Sequence, residues 1–151
     1  TNTDGSVKDE VVQAYIGNKL VSGTPPTKYL YDAYAHDSDL ELKNMQRDID
    51  EVVVYGKIPS HSICIPTIAS SNYSPDFMYV VKKGDGTKEL NIVIETKAYD
   101  KETQITPDEE TKISCAEEFF KAMTANGYTV HFRKQINSKD VLTIVNDLIN
   151  E

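Results

Sequence analysis

The chain has no tryptophan and only two cysteines in 151 residues. Cys64 and Cys115 stand far apart, in no CxxC spacing and with no histidine adjacent, which argues against a zinc site or a disulfide framework and leaves both as expected small core residues. No apolar run approaches the roughly 20 residues that a membrane span needs. The opening Thr1-Asn2-Thr3-Asp4-Gly5 has neither the basic start nor the apolar stretch of a secretion signal, so no membrane and a cytoplasmic location are expected. Without export, the glycosylation pattern Asn72-Tyr73-Ser74 is a chance match. Basic residues are also scarce: 16 Lys and Arg against 24 Asp and Glu leave a net charge of −8. Affinity for DNA comes largely from Lys and Arg on phosphates, so such a chain should hold DNA weakly by itself. An acidic balance is equally what carboxylates gathered around a divalent cation contribute.

What is present, 39% hydrophobic and 26% charged residues with no internal repeat, suits one compact α/β core with an attached N-terminal segment. Val12, Tyr15, Ile16 and Leu20 predict a helix between Lys8 and Leu20, weakened by Gly17, before Gly23-Thr24-Pro25-Pro26-Thr27 breaks the chain. Residues 1–36 are read as a segment packed on or leading into a core of 37–151. Ser38-Asp39-Leu40-Glu41 has the capping-box form, and Leu42, Met45 and Ile49 continue a helix from about 39 to 49. A buried strand over 51–55 should stop at Gly56, and an extended piece over His61–Thr67 should close at Pro66. Asp76–Lys82 and Glu89–Lys97 alternate as strands around an Asp85-Gly86 turn. Helix 108–125 should stop at Asn126-Gly127, a strand should begin at Tyr128, and Val141 to Ile149 should form an amphipathic helix. The helix between the second hairpin strand and the Tyr128 strand makes those two parallel, so the expected fold is a mixed central sheet flanked by helices.

The chemistry concentrates at Pro75-Asp76 and Glu95-Thr96-Lys97. With Asp85-Gly86 at the turn, Asp76 falls opposite Glu95, cross-strand partners stand about 5 Å apart at Cβ, and Lys97 lies roughly 7 Å away diagonally on the same face. Leu90, Ile92 and Ile94 then point the other way, into the core, so one register serves both purposes and a slip of one residue would undo both. Two close carboxylates suit a hard cation with oxygen ligands, and Lys97 would orient or help deprotonate an attacking water, or stabilise charge developing on phosphorus. An ExK triplet alone is most often a solvated face; the hairpin geometry and Asp76 lift it above that background.

The arrangement matches the PD-(D/E)xK nuclease fold. More narrowly, residues 37–148 resemble the C-terminal endonuclease domain of type III restriction enzyme restriction subunits. The resemblance rests on Asp37-Ser38-Asp39-Leu40-Glu41, Val54-Tyr55-Gly56-Lys57-Ile58-Pro59, Tyr73-Ser74-Pro75-Asp76-Phe77, Val93-Ile94-Glu95-Thr96-Lys97, and Lys112 to Ala116 through Phe119-Phe120. It implies that Asp76 and Glu95 ligate magnesium with the Thr96 backbone carbonyl, manganese being able to substitute, that Lys97 is the catalytic lysine, and that Glu41 is an auxiliary acid. Glu41 reads equally as the capping-box carboxylate, and the two roles are compatible. Ala98 stands where many relatives carry glycine, which leaves the inferred ligands intact.

The implied activity is hydrolysis of double-stranded DNA by metal-activated water. The implied partners are a helicase-like ATPase region of the same parent chain and a methyltransferase (modification) subunit. ATP would serve only that motor, and no GxxxxGK[ST] loop occurs here, so a fragment of a longer protein is expected. A repair or junction nuclease of the same fold, and a nonenzymatic docking module with a decayed site, are the competing readings. Lys112 reads as a surface lysine, His61 and His131 as structural or exposed, and Lys82, Lys83 and Lys88 as a solvated turn.

Overall fold

The computed structural model describes residues 2–6, 10–68, 72–83 and 89–151. A short 3-10 turn (Gln13–Tyr15) leads into β1 (Lys19–Val21), which pairs antiparallel with β2 (Tyr34–His36). Then follow α1 (Asp39–Gln46), β3 (Val52–Lys57), the small pair β4 (Ile65–Pro66) and β5 (Asn72–Tyr73), β6 (Phe77–Lys82) and β7 (Glu89–Lys97). A second 3-10 turn (Glu102–Gln104), α2 (Pro107–Ala125), β8 (Val130–Ile136) and α3 (Val141–Asn150) complete the chain. The central sheet runs β3-β6-β7-β8, antiparallel for its first two pairings and parallel between β7 and β8. It is therefore the mixed sheet flanked by helices that the pattern predicts.

Both faces of this sheet are covered. Leu90, Ile92 and Ile94 join Phe77, Tyr79 and Val81 in a core closed by Met45 of α1 and by Val141, Ile144, Val145 and Leu148 of α3. Val93, on the opposite face, packs with Phe132 against Ile113, Ala116 and Phe120 of α2. The helices begin where side chains satisfy their free amides: Ser38 accepts from the Glu41 amide, Thr106 and Glu109 form a reciprocal capping box, and Asp140 accepts from the Leu142 amide. Helix α2 ends at Asn126, with Gly127 at φ +94°, as the Asn-Gly stop requires.

Several elements depart from expectation. The helix predicted over Lys8–Leu20 is absent from the described residues: only the 3-10 turn forms, and Val12, Tyr15 and Leu20 are exposed. Gly17 instead lies flat against β2, where a Cβ would stand 2.3 Å from the His36 amide nitrogen, so backbone contact displaces helical packing. Helix α1 stops at Gln46, although Ile49 still reaches the core. Strand β3 does not stop at Gly56 but runs through it, because Leu30 covers that glycine closely, and it ends at Lys57. The extended piece at 61–67 shrinks to two residues, with Pro66 inside the pairing rather than after it. Tyr128 precedes β8 and is exposed. Cys64 is exposed rather than core, while Cys115 is half-buried against the α2 core. The Asp85-Gly86 turn and Lys88 lie outside the described residues.

Candidate active site

The register of β6 and β7 runs Phe77↔Ile94, Tyr79↔Ile92 and Lys82↔Glu89, the pairing that a turn at Asp85-Gly86 would impose. One step further out, Asp76 falls level with Glu95, beyond the last ladder pair. Its carbonyl accepts from the Ile58 amide at 2.7 Å, so β3 and β6 are still stitched together at this edge. The C-terminal ends of β3, β7 and β8 and the start of β6 thus meet at one corner of the sheet.

Asp76 is held by Thr96, whose amide and hydroxyl both donate to Oδ2, at 2.7 and 2.6 Å. In an extended strand a residue's amide and carbonyl point to the same side, so the Thr96 carbonyl also faces Asp76. Glu95 is buried, accepts from the Tyr73 hydroxyl, and pairs through Oε1 with Lys97 Nζ at 2.8 Å. Lys97 also reaches Glu109 Oε1 at 3.4 Å. The Glu109 carboxylate is itself anchored by the Thr106 amide and hydroxyl and by the Tyr99 hydroxyl.

Glu41 and Lys57 approach from the face covered by α1. Lys57 Nζ sits 2.8 Å from both Glu41 Oε2 and Asp37 Oδ2. Glu41 keeps a share of its helix-start role, since its carboxylate also accepts from the Asp37 amide at 2.7 Å. That amide lies one residue before the N-cap, so the reciprocal bond of a capping box is displaced rather than formed. A cavity of about 240 Å³ opens beside these groups, lined by Asp37, Lys57, Tyr73, Ser74, Asp76 and the exposed His61 among others.

The electrostatics follow from burial without enough positive charge. Burial raises Asp76 above the ordinary carboxylate range, against the pull of its Thr96 bonds. Burial and then the charge of Asp76 push Glu95 up to about 7, although Lys97 and Tyr73 oppose this. Burial would lower Lys97, but Glu95 and Glu109 hold it above its ordinary value. Slight burial of Glu109 is overridden by its Thr106 bonds and by Lys97, which bring it to about 2. Lys57, desolvated, is likewise held high by Asp37 and Glu41.

A buried carboxylate, Glu95, and a half-buried one, Asp76, repelling each other and offering oxygen donors, suit a hard divalent cation, which would relieve their repulsion. Among the described residues no three Asp, Glu, His or Cys gather closely enough to hold a metal alone. A cation here would need a backbone carbonyl and water besides Asp76 and Glu95, and the Thr96 carbonyl is so directed. The corner thus brings together Asp76, Glu95, Thr96 and Lys97, with Glu41 next to them through Lys57. Lys112 is half-buried on α2 and His131 half-buried on β8.

Sequence reasoning gave no role to Lys57, Tyr73 or Glu109. A lysine inside the otherwise apolar run Val52 to Ile58 was the available signal for the first. The Thr-x-x-Glu form of 106–109 was the available signal for Glu109, and it points only to a helix cap.

A family model described as an endonuclease domain matches residues 27–139. The chain is 37% identical over 147 residues, 96% of its length, to the type III restriction-modification enzyme EcoPI Res subunit of Escherichia phage P1. It is also 37% identical, over the same share, to the EcoP15I Res subunit of Escherichia coli. The StyLTI Res subunit of Salmonella typhimurium is 24% identical over 153 residues. The chain spans only 15% of the length of each of these relatives. No solved structure matches it. With three quarters of its residues under the family model and this identity along nearly its whole length, the chain belongs to the endonuclease-domain family found in type III restriction enzyme Res subunits.

Proposed function

We propose that this domain hydrolyses phosphodiester bonds of double-stranded DNA with magnesium, for which manganese can substitute, held by Asp76, Glu95 and the Thr96 carbonyl. The observation that carries this reading is the convergence of Asp76, Glu95 and Lys97 at one corner of the sheet, where burial and the charge of Asp76 push Glu95 up to about 7. Held by these residues, a divalent cation would supply positive charge beside the scissile phosphate and lower the pKa of an attacking water. The chain's own residues do the rest. The two Thr96 bonds fix Asp76, and the Tyr73 hydroxyl restrains Glu95. Lys97 directs its ammonium into the corner, where it stabilises charge developing on the phosphate and orders the water. Glu109, 3.4 Å from the same ammonium, gives Lys97 a second anchor besides Glu95. Glu41, paired with Lys57, is the auxiliary acid; its charge adds to the burial that raises Asp76, and Lys57 opposes it.

The Res-subunit relatives, of which the chain spans 15%, extend the proposal to a longer protein, for which we propose a cytoplasmic location. In it, this module would follow a helicase-like ATPase region and act with a modification methyltransferase. ATP would be used by that region alone.

Calorimetric titration of magnesium or manganese into the wild-type chain and an Asp76→Ala variant, with plasmid nicking at low salt in parallel, tests the site. The wild type is expected to bind the ion and nick, and the variant to lose both. Equal metal binding by the two would remove the proposed site.

A further inference from the structure

Away from the carboxylates, α1 and the turn between β8 and α3 enclose a second cleft, of about 430 Å³. Its lining carries Lys43, Arg47 and Lys139 against one acid, Asp140, in a chain whose acids outnumber its bases 24 to 16. The remaining polar lining is made of amides and hydroxyls, the groups that solvate phosphate oxygens. Its floor is rigid: Asn44 and Gln135, both buried, exchange two side-chain hydrogen bonds at 2.6 and 3.1 Å, and Gln135 also donates to the Lys139 carbonyl at 3.0 Å. This amide pair locks α1 to the turn that bears Lys139, so the cleft exists before any ligand arrives.

The cations are free to exchange partners. Arg47 meets Asp140 at 3.7 Å and Lys139 meets Asp147 at 3.4 Å, both at exposed positions where an ion pair contributes little. Lys43 is exposed and makes no ion pair among the described residues.

The cleft and the site are separate cavities carried by neighbouring elements. Gln135 pairs in register with Thr96, and Glu41 sits on the same helix as Lys43, with Arg47 at its C-cap. Asn44, whose amide forms the cleft floor with Gln135, follows Glu41 by three residues and so neighbours it on the surface of α1. We propose that the cleft between α1 and the β8–α3 turn is a binding groove for the duplex DNA backbone flanking the scissile bond, with Lys43, Arg47 and Lys139 as its phosphate contacts. The inference rests on the nuclease reading and deepens it: a domain with a net charge of −8 holds DNA locally, through one cationic cleft beside its carboxylates, rather than through its overall field.

The test measures binding of a labelled duplex without divalent ion across a salt series. It compares the wild-type chain, a Lys43→Ala/Arg47→Ala/Lys139→Ala variant, and a Lys19→Ala/Lys121→Ala control with both substitutions far from the cleft. Thermal melting verifies that all three fold. The cleft variant is expected to bind at least about tenfold more weakly, with a plot of log affinity against log salt shallower by about 2 to 3, while the control changes far less per charge removed. Equal losses in the two variants, or no loss in the cleft variant, would overturn the groove. No binding by the wild-type chain at the lowest salt would overturn it as well. Calorimetric metal titration of the cleft variant separates the two ideas: unchanged metal binding leaves the nuclease site standing when the groove fails, and its loss in the wild type removes the nuclease reading itself.

Discussion

Lys97 is shared between two carboxylates of opposite character. Glu109 is locked by three donors besides Lys97 and titrates at about 2, whereas Glu95 is raised to about 7 by burial and by Asp76. Because the folded state binds a proton on Glu95 that the unfolded chain has released, stability should fall as pH rises from about 4.5 to about 7. Asp76 is raised and adds to this slope; His131, lowered by burial, opposes it. With chelator present, the melting temperature of the wild type should therefore drop more between about pH 5 and 8 than that of Glu95→Gln, and added magnesium should restore more at the upper pH. Matching pH slopes for the two proteins would show that Glu95 is not raised. Asp76, Glu95 and Lys97 were legible in the sequence because strand alternation and the turn chemistry of Asp-Gly predict the register that β6 and β7 show. Lys57 and Tyr73 were not, since their partners Glu41 and Glu95 lie 16 and 22 residues away and only the closed fold brings them into reach.

At the scale of elements, the two glycines that misled the sequence reading act through close approach. Gly17 fails as a helical residue because His36 backbone occupies the space of its Cβ, and Gly56 fails as a strand end because Leu30 packs over it. The obstacles differ in stiffness: backbone cannot yield at Gly17, while the contact at Gly56, 2.8 Å away, is the tip of a flexible and largely exposed side chain. Gly17→Ala should thus cost about 2 to 3 kcal/mol and Gly56→Ala less than about 1 kcal/mol, measured by denaturant unfolding. Equal costs would mean that the β1–β2 pair is less tightly seated on this contact than its geometry indicates. Continuation of β3 through Gly56 has a functional consequence, because it carries Lys57 to the corner where Glu41 needs a counter-charge.

The whole molecule is a sheet between two cores, and the first of them includes residues from before α1. Tyr29 and Tyr34 are buried against Tyr55 and Tyr79, with Tyr29 bridging to Tyr55 along the backbone. We infer that the foldable unit starts upstream of Tyr29 rather than at Asp37, with the first part of the 1–36 segment lying on its surface. Loss of a large buried aromatic costs about 3 to 5 kcal/mol, against a total stability of about 5 to 15 kcal/mol for a domain. A chain begun at residue 37 is therefore expected to show no cooperative melting transition by circular dichroism, and one begun at residue 27 to retain it. Equal melting of the two would confine the unit to 37–151.

The sequence by itself determined the order of the main elements from Ser38 onward, the mixed sheet and the β6–β7 register, because side-chain period and turn chemistry are local properties that do not wait for packing. It also named the carboxylates and the lysine that meet at the end of that hairpin. Only the tertiary structure decided what stands around them: Lys57 beside Glu41, Tyr73 on Glu95, Glu109 behind Lys97, and a cationic cleft in an acidic chain. Those contacts join residues from separate elements, and their positions are set by how α1 and α2 pack on opposite faces of one sheet, which no local pattern specifies.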